Sequence, residues 1–226
     1  TSKLSSAEDL FHIRSLGFRG EALASIGSVS RMTFISRAQE AEIGARLTVE
    51  AGHVGPLEQA GLPVGTVVRV EDLFYNVPAR LKFLKTDQTE RSQINTLVTR
   101  YALAYPAVRM TLVQDGKIIL QTSGHGDRRE VLAQLYSIEI ARQMLEVSLE
   151  EDSASITGFI SPVALTRSNR REITFFVNGR WIQDSSLISA LLQAYHTLLM
   201  VGRYPLSALL VSLPPEDVDV NVHPAK

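Results

Sequence analysis

Leu16-Gly17-Phe18-Arg19-Gly20-Glu21-Ala22-Leu23 sets two glycines three apart, directly before a run that reads as the start of a helix. Glycine at such positions lets backbone N–H groups approach an anion that a Cβ would exclude. Arg19 between them adds a charge-assisted donor suited to phosphate. The stretch is no P-loop, because Gly-Lys-Ser/Thr does not follow, and no strand feeds it as a dinucleotide fingerprint requires. Upstream, Ser6 followed by Asp9 predicts a short helix over 7–15, broken by Gly17 through Gly20. A second short helix is expected over 21–28.

Working outward, residues 31–37, 44–50 and 64–74 read as strands by β-branched content and partial alternation. Gly52, Gly55-Pro56, Gly61 and Pro63 punctuate the loops between them. Pro78 opens a helical turn through Leu84. Residues 87–104 carry Ile94, Leu97, Val98, Tyr101 and Ala102 or Tyr105 at three-and-four spacing, which predicts an amphipathic helix closed by Pro106. The domain boundary is expected there, giving domains 1–105 and 106–226.

The second half restarts with a hairpin, 108–114 and 117–121 around Asp115-Gly116. A helix over 128–136 and strands near 144–149 and 156–160 follow. A strand over 171–177 ends at the tight-turn pair Asn178-Gly179, with Trp181-Ile182 returning. Asp184 is expected to cap a helix through about Leu199, before an apolar strand over 206–213. Helices and strands mix without strict alternation and hairpins recur, so an α+β fold is expected rather than a doubly wound sheet.

Composition sets the outer bounds. The 226 residues are 45% hydrophobic and 21% charged, as in ordinary globular domains, which excludes disordered and collagen-like classes. No apolar run approaches the ~20 residues of a membrane span. The richest, 198–213, is broken by Gly202, Arg203 and Pro205. With no cysteine there is no disulfide scaffold, thiolate nucleophile or cysteine-held zinc. The five histidines show no metal spacing, and no serine-hydrolase GxSxG occurs, so no metal ligand is assigned.

Net charge is −1, so no global basic field draws in nucleic acid. Arginine nevertheless supplies 18 of the 23 basic residues, and two local runs each reach +3. The first holds Arg80, Lys82, Lys85, Arg91 and Arg100 against Asp87 and Glu90. The second holds Arg167, Arg170, Arg171 and Arg180 against Glu172. Chain ends without an initiator methionine or a tail suggest a piece cut from a longer protein.

Two further stretches carry chemistry. Gly65 through Arg80 runs a strand into the aromatic pair Phe74-Tyr75 and then Pro78, and the Thr66 hydroxyl can bond a base or a carboxylate. Asp219-Val220-Asn221-Val222-His223-Pro224-Ala225-Lys226 alternates polar and apolar residues and ends on a mobile ammonium of the kind used against phosphates.

Taken in order, these stretches resemble the MutL family of DNA mismatch-repair ATPases. The matching pieces are Thr1-Ser2-Lys3, Ser15 through Ile26, Asp72-Leu73-Phe74-Tyr75-Asn76-Val77-Pro78-Ala79-Arg80, Lys82-Phe83-Leu84, Phe176-Val177-Asn178-Gly179-Arg180 and Asp219 through Lys226. The resemblance implies the C-terminal part of a GHKL-type ATPase α/β sandwich, followed by a transducer domain like domain 2 of ribosomal protein S5. It places Gly17, Phe18, Arg19, Gly20 and Glu21 in the lid over the ATP triphosphate, with Thr1, Ser2 and Lys3 beside the phosphates. Thr66 would lie near the adenine. Lys226, with Asn221 close by, would reach the γ-phosphate from the second domain as the catalytic lysine. ATP contacts in two domain arrangements would drive a switch that closes a homodimer and signals to mismatch-recognition and downstream repair proteins.

The resemblance also implies DNA contact, through Arg167, Arg170, Arg171 and Arg180, and a cytoplasmic, nucleoid-associated setting without membrane partners. The family's water-activating glutamate, its Mg²⁺-holding asparagine and its Asp-x-Gly-x-Gly segment are absent from these residues, and Mg²⁺ ligands are expected upstream. These 226 residues alone are therefore expected to bind ATP weakly and not to hydrolyse it. A non-enzymatic DNA-binding or dimerisation module, and another GHKL ATPase such as a type II topoisomerase region, stay open as alternatives.

Overall fold

The computed structural model describes residues 16, 17 and 20–219. The helix expected over 7–15 lies outside them. The chain divides into two compact units, which among the described residues comprise Gly17 with 20–87, and Leu16 with 88–219.

The first unit opens with α1 (Ala22–Gly27) and continues into β1 (Arg31–Arg37), β2 (Gly44–Glu50), β3 (His53–Val54), β4 (Glu58–Ala60), β5 (Gly65–Glu71) and α2 (Pro78–Leu81). Its sheet runs β3-β2-β1-β5, with β4 also paired to β2. β1 is central and antiparallel to both neighbours, Phe34 standing opposite Leu47 and Val68. Met32 is buried under this sheet. β5 is exposed along its whole length, Val67, Val68 and Val70 included. Its valines satisfy strand propensity.

The second unit begins with α3 (Asp87–Ala104) and the hairpin β6 (Thr111–Gln114) and β7 (Lys117–Gln121), whose turn residues Asp115 and Gly116 both take positive φ. Helices α4 (Arg128–Leu135) and α5 (Ile138–Gln143) lead into β8 (Leu145–Glu151) and β9 (Ala154–Ile160). After β10 (Thr166–Arg167) come β11 (Ile173–Val177), β12 (Arg180–Ile182), α6 (Ser185–Ala194), β13 (Tyr204–Pro205) and β14 (Ser207–Ser212). The main sheet runs β12-β11-β14-β9-β8, with only the β11–β14 pair parallel.

Strand alternation gives this sheet two buried faces. Phe159, Phe176, Ala208 and Leu210 pack on one face with Ala102, Leu103, Val131, Leu132, Ala141 and Met144. Ile173, Phe175, Leu209 and Val211 pack on the other with Leu191 and Tyr195 of α6 and its exit. At the sheet centre Gly158 takes φ +136 opposite Leu209, where any Cβ would overlap the Ala208 carbonyl oxygen. Only glycine serves there.

Three expectations are corrected. The units divide at Asp87 and Gln88 rather than at 105 and 106, because the end of α3 is built into the second core. Arg128 Nε donates to the Leu103 carbonyl at 2.8 Å, so α4 caps the α3 C-terminus. The α3 stripe is buried only toward that end: Val98 and Tyr105 meet the core, whereas Ile94 and Leu97 are exposed. The helix begun at Asp184 stops at Ala194 instead of near Leu199, with Thr197 at φ +69 beyond it. Among the described residues no helix is long and apolar enough to cross a membrane.

Candidate functional site

The glycine-bounded loop enters α1 through Gly20, whose φ of +67 is the left-handed conformation that glycine adopts without strain. Glu21 is the first non-helical residue before α1, and its carbonyl accepts from Ser25 N at 2.9 Å while its side chain makes no cap. Gly17 and Glu21 are exposed. Phe18 and Arg19 lie outside the described residues, as do Thr1, Ser2, Lys3, Asn221 and Lys226.

The C-terminal end of α1 is fastened to the 72–80 motif. Phe74 N donates to Val29 O at 2.6 Å, and Asn76 Nδ2 donates to Ser28 O at 3.0 Å. Asp72 and Phe74 both hold positive φ, at +51 and +68, strained for residues that carry a Cβ. Arg31 stabilises this turn. Its Nη1 donates to Asp72 at 2.6 Å, its Nε to Glu50 at 2.9 Å, and its guanidinium lies 4.6 Å from the Tyr75 ring centroid. The hydrogen bond to Arg31 holds the Glu50 carboxyl below the usual carboxylate range, and the same contacts, Glu50 foremost, raise Arg31. Pro78 starts α2 with no N–H to lose.

Thr66 lies on β5 opposite Ser36, and their hydroxyl oxygens are 2.8 Å apart on an exposed strand end. This pair offers both a donor and an acceptor to an incoming polar edge. Space around Gly65 is open, with nothing within 4 Å of where a Cβ would stand.

In the second unit the Asn178-Gly179 turn does more than reverse the chain. Asn178 Oδ1 accepts from Leu213 N at 2.9 Å and its Nδ2 donates to Leu213 O at 3.0 Å. The side chain thereby fixes the exit of β14, the route toward Asp219. Arg180 Nη2 donates to Leu16 O at 2.8 Å, a contact within the second unit.

The four arginines expected to meet DNA have unlike surroundings. Arg167 is tied to Glu172 at 2.8 Å, Arg170 lies 5.1 Å from the Tyr204 ring centroid, and Arg180 makes the Leu16 contact. Arg171 is exposed, and its side chain meets no acceptor among the described residues. No group of three His, Asp or Glu among the described residues can hold a metal ion.

Residues 132–226 match the family described as DNA mismatch repair protein, C-terminal domain. Over all 226 residues the chain is 45% identical to the DNA mismatch repair protein MutL of Streptococcus equi subsp. zooepidemicus. The Aquifex aeolicus MutL ATPase domain complexed with ADP is 30% identical, with a TM-score of 0.69 over 97% of this chain and 82% of that one. The chain belongs to the MutL family.

The chain spans about a third, 34%, of the length of the Streptococcus relative. Its fold is shared more widely. The B-subunit of the DNA gyrase from Myxococcus xanthus aligns over 94% of this chain and 68% of that one, at 16% identity and a TM-score of 0.51. The α+β architecture is thus the late part of a GHKL-type sandwich joined to an S5-like domain, as the resemblance implied. Sequence reading missed Arg31 and Asn76 as the residues that set the 72–80 turn. Asn76 lay within the motif but carried no sign of its partner at Ser28, and Arg31 was read only as the start of a strand.

Proposed function

We propose that this MutL chain is part of the ATP-binding and DNA-binding region of a mismatch-repair protein, in which ATP binding and hydrolysis switch dimer closure and repair signalling. The observation that carries the reading is the glycine-bounded loop, with Gly20 in left-handed backbone, entering a helix whose far end is fastened to the 72–80 turn. A MutL ATPase domain that matches this chain almost end to end was solved with ADP, which supports nucleotide as the ligand.

In this reading the amides at Gly17, Phe18, Arg19 and Gly20 receive phosphate oxygens, with Thr1, Ser2, Lys3 and Glu21 alongside. Thr66 takes a polar edge of the adenine, a role that fits its exposed hydroxyl pair with Ser36. Asn221 and Lys226 approach the γ-phosphate, Lys226 as a point charge against the developing negative charge. Bound Mg²⁺ would neutralise phosphate charge, and its ligands belong to sequence outside these 226 residues. The chain alone then binds nucleotide weakly without turning it over. An ATPase assay is expected to stay at background, and normal turnover would contradict the assignment of the missing base.

DNA binds in the same reading through phosphate contacts from Arg170, Arg171 and Arg180, with Arg167 held in its pair with Glu172. Such binding is sequence-tolerant and salt-sensitive. Fluorescence anisotropy should give log affinity falling linearly with log salt, and a flat dependence would contradict it. Homodimerisation and contact with mismatch-recognition and downstream repair proteins belong to the full-length protein. A second reading, a non-catalytic DNA-binding or dimerisation module, draws support from the two-faced core of the second unit.

A further inference from the structure

A cleft of about 400 Å³ opens in the second unit between α3, β7, the end of α4 and the start of β11. That volume lies within the ~300–1,000 Å³ range of small-molecule sites. Arg100 from α3 and Arg171 from the segment before β11 both line it, together with Tyr136. Leu103, Ile119 and Leu135 supply an apolar wall.

The polar groups here are those an anion would complete. Arg100 is partly buried, with its guanidinium carbon 3.9 Å from the Trp181 ring centroid. Stacking occupies one face of the planar fork and leaves its in-plane N–H donors. No acceptor meets those donors among the described residues, and burial lowers the pKa of Arg100 from its usual value. Arg171 likewise has no side-chain acceptor. Tyr136 is held to about pKa 12, first by burial and then by Glu172, so its hydroxyl stays a donor at neutral pH. Glu172, the acid in the cleft, is already paired with Arg167 at 2.8 Å. Two guanidinium charges thus remain uncompensated beside an apolar wall.

We propose that this cleft binds a phosphate monoester carrying a small apolar body. Its dianionic head is received by the forks of Arg100 and Arg171 and by the Tyr136 hydroxyl. A dianion matches the two guanidinium charges that line the cleft, and its three terminal oxygens match three donor side chains there, which a single carboxylate does not. The same head could come from a free metabolite or from a DNA backbone. The cleft favours the free monoester, because its apolar wall beside the partly buried Arg100 and Tyr136 accepts an organic group that a backbone phosphate does not carry.

Trp181 is the single tryptophan of the chain, so its fluorescence reports this site. The 226-residue protein is titrated with inorganic phosphate, phenyl phosphate and a short DNA duplex. Phenyl phosphate is expected to give a saturable change at several-fold lower concentration than inorganic phosphate. R100Q and R171Q are each expected to weaken it about tenfold, and Y136F about threefold. Because Arg171 is exposed and lies outside the stack, R171Q keeps the test valid where R100Q disturbs the stack on Trp181. No saturable response to phenyl phosphate, or a response unchanged by R171Q, would overturn the proposal. So would an Arg171-dependent response to duplex that phenyl phosphate does not reproduce.

Discussion

The two units differ in what holds their sheets. In the second, neighbouring residues on β11 and β14 alternate between two apolar layers, with Phe176 and Phe175 facing opposite ways into separate clusters. In the first, burial among the described residues is confined to Gly27, Ser30, Met32 and Gly44, and β5 is exposed throughout. Its turn geometry rests instead on polar ties: Arg31 to Asp72 and Glu50, and Asn76 to Ser28. Exposed ion pairs contribute little, screened as they are by solvent, whereas a buried aromatic contributes far more. Among the described residues the second unit thus buries the larger apolar core.

Substitution at matched depths breaks or sharpens this contrast. Phe176 is 0% exposed, and F176A is expected to destabilise the second unit by about 3–5 kcal/mol in a denaturant titration. V67A on exposed β5 is expected to stay within about 0.5 kcal/mol of the parent. Equal effects would erase the distinction. G158A, forcing a Cβ onto the Ala208 carbonyl at φ +136, is expected to cost about 2–4 kcal/mol by the same measurement.

D184A removes the acceptor for Leu187 N, 2.9 Å away at the α6 N-terminus, and should cost about 1 kcal/mol. The smallest effect belongs to the first unit and is a matter of pH. The carboxyl of Glu50 is depressed in the folded chain, chiefly by its hydrogen bond to Arg31. Its contribution is therefore fully present above the unfolded value of 4.5 and fades as pH falls through the lower folded value. Carbon-detected NMR titration should place the Glu50 midpoint below 4.5, and R31Q should return it toward the ordinary range. An unchanged midpoint in R31Q would remove the polar tie from the account.

Local chemistry made part of this legible from sequence. Asp115-Gly116 and Asn178-Gly179 take the positive φ values that their hairpins need, and Asp184 caps α6 as expected. What escaped depends on partners distant in the chain. Periodicity marked the 87–104 helix but not which core receives it, because Ala102 and Leu103 are buried by α4 and α5. The six-residue α5, capped by Ser137, is too short to show a helical period. Gly20 was readable as a turn glycine, and it takes φ +67. The cleft of Arg100 and Arg171 was not, since each appeared only as one charge in a different basic run.

The central claim, that the glycine-bounded loop grips a nucleotide by its phosphates, is tested most directly by amide NMR on the isotopically labelled 226-residue chain. A non-hydrolysable ATP analogue with Mg²⁺ is expected to shift the Gly17 and Gly20 amides most, with Thr66 next and the Trp181 indole unmoved. Saturating analogue that leaves Gly17 and Gly20 in place, or that shifts only residues of the second unit, would contradict it.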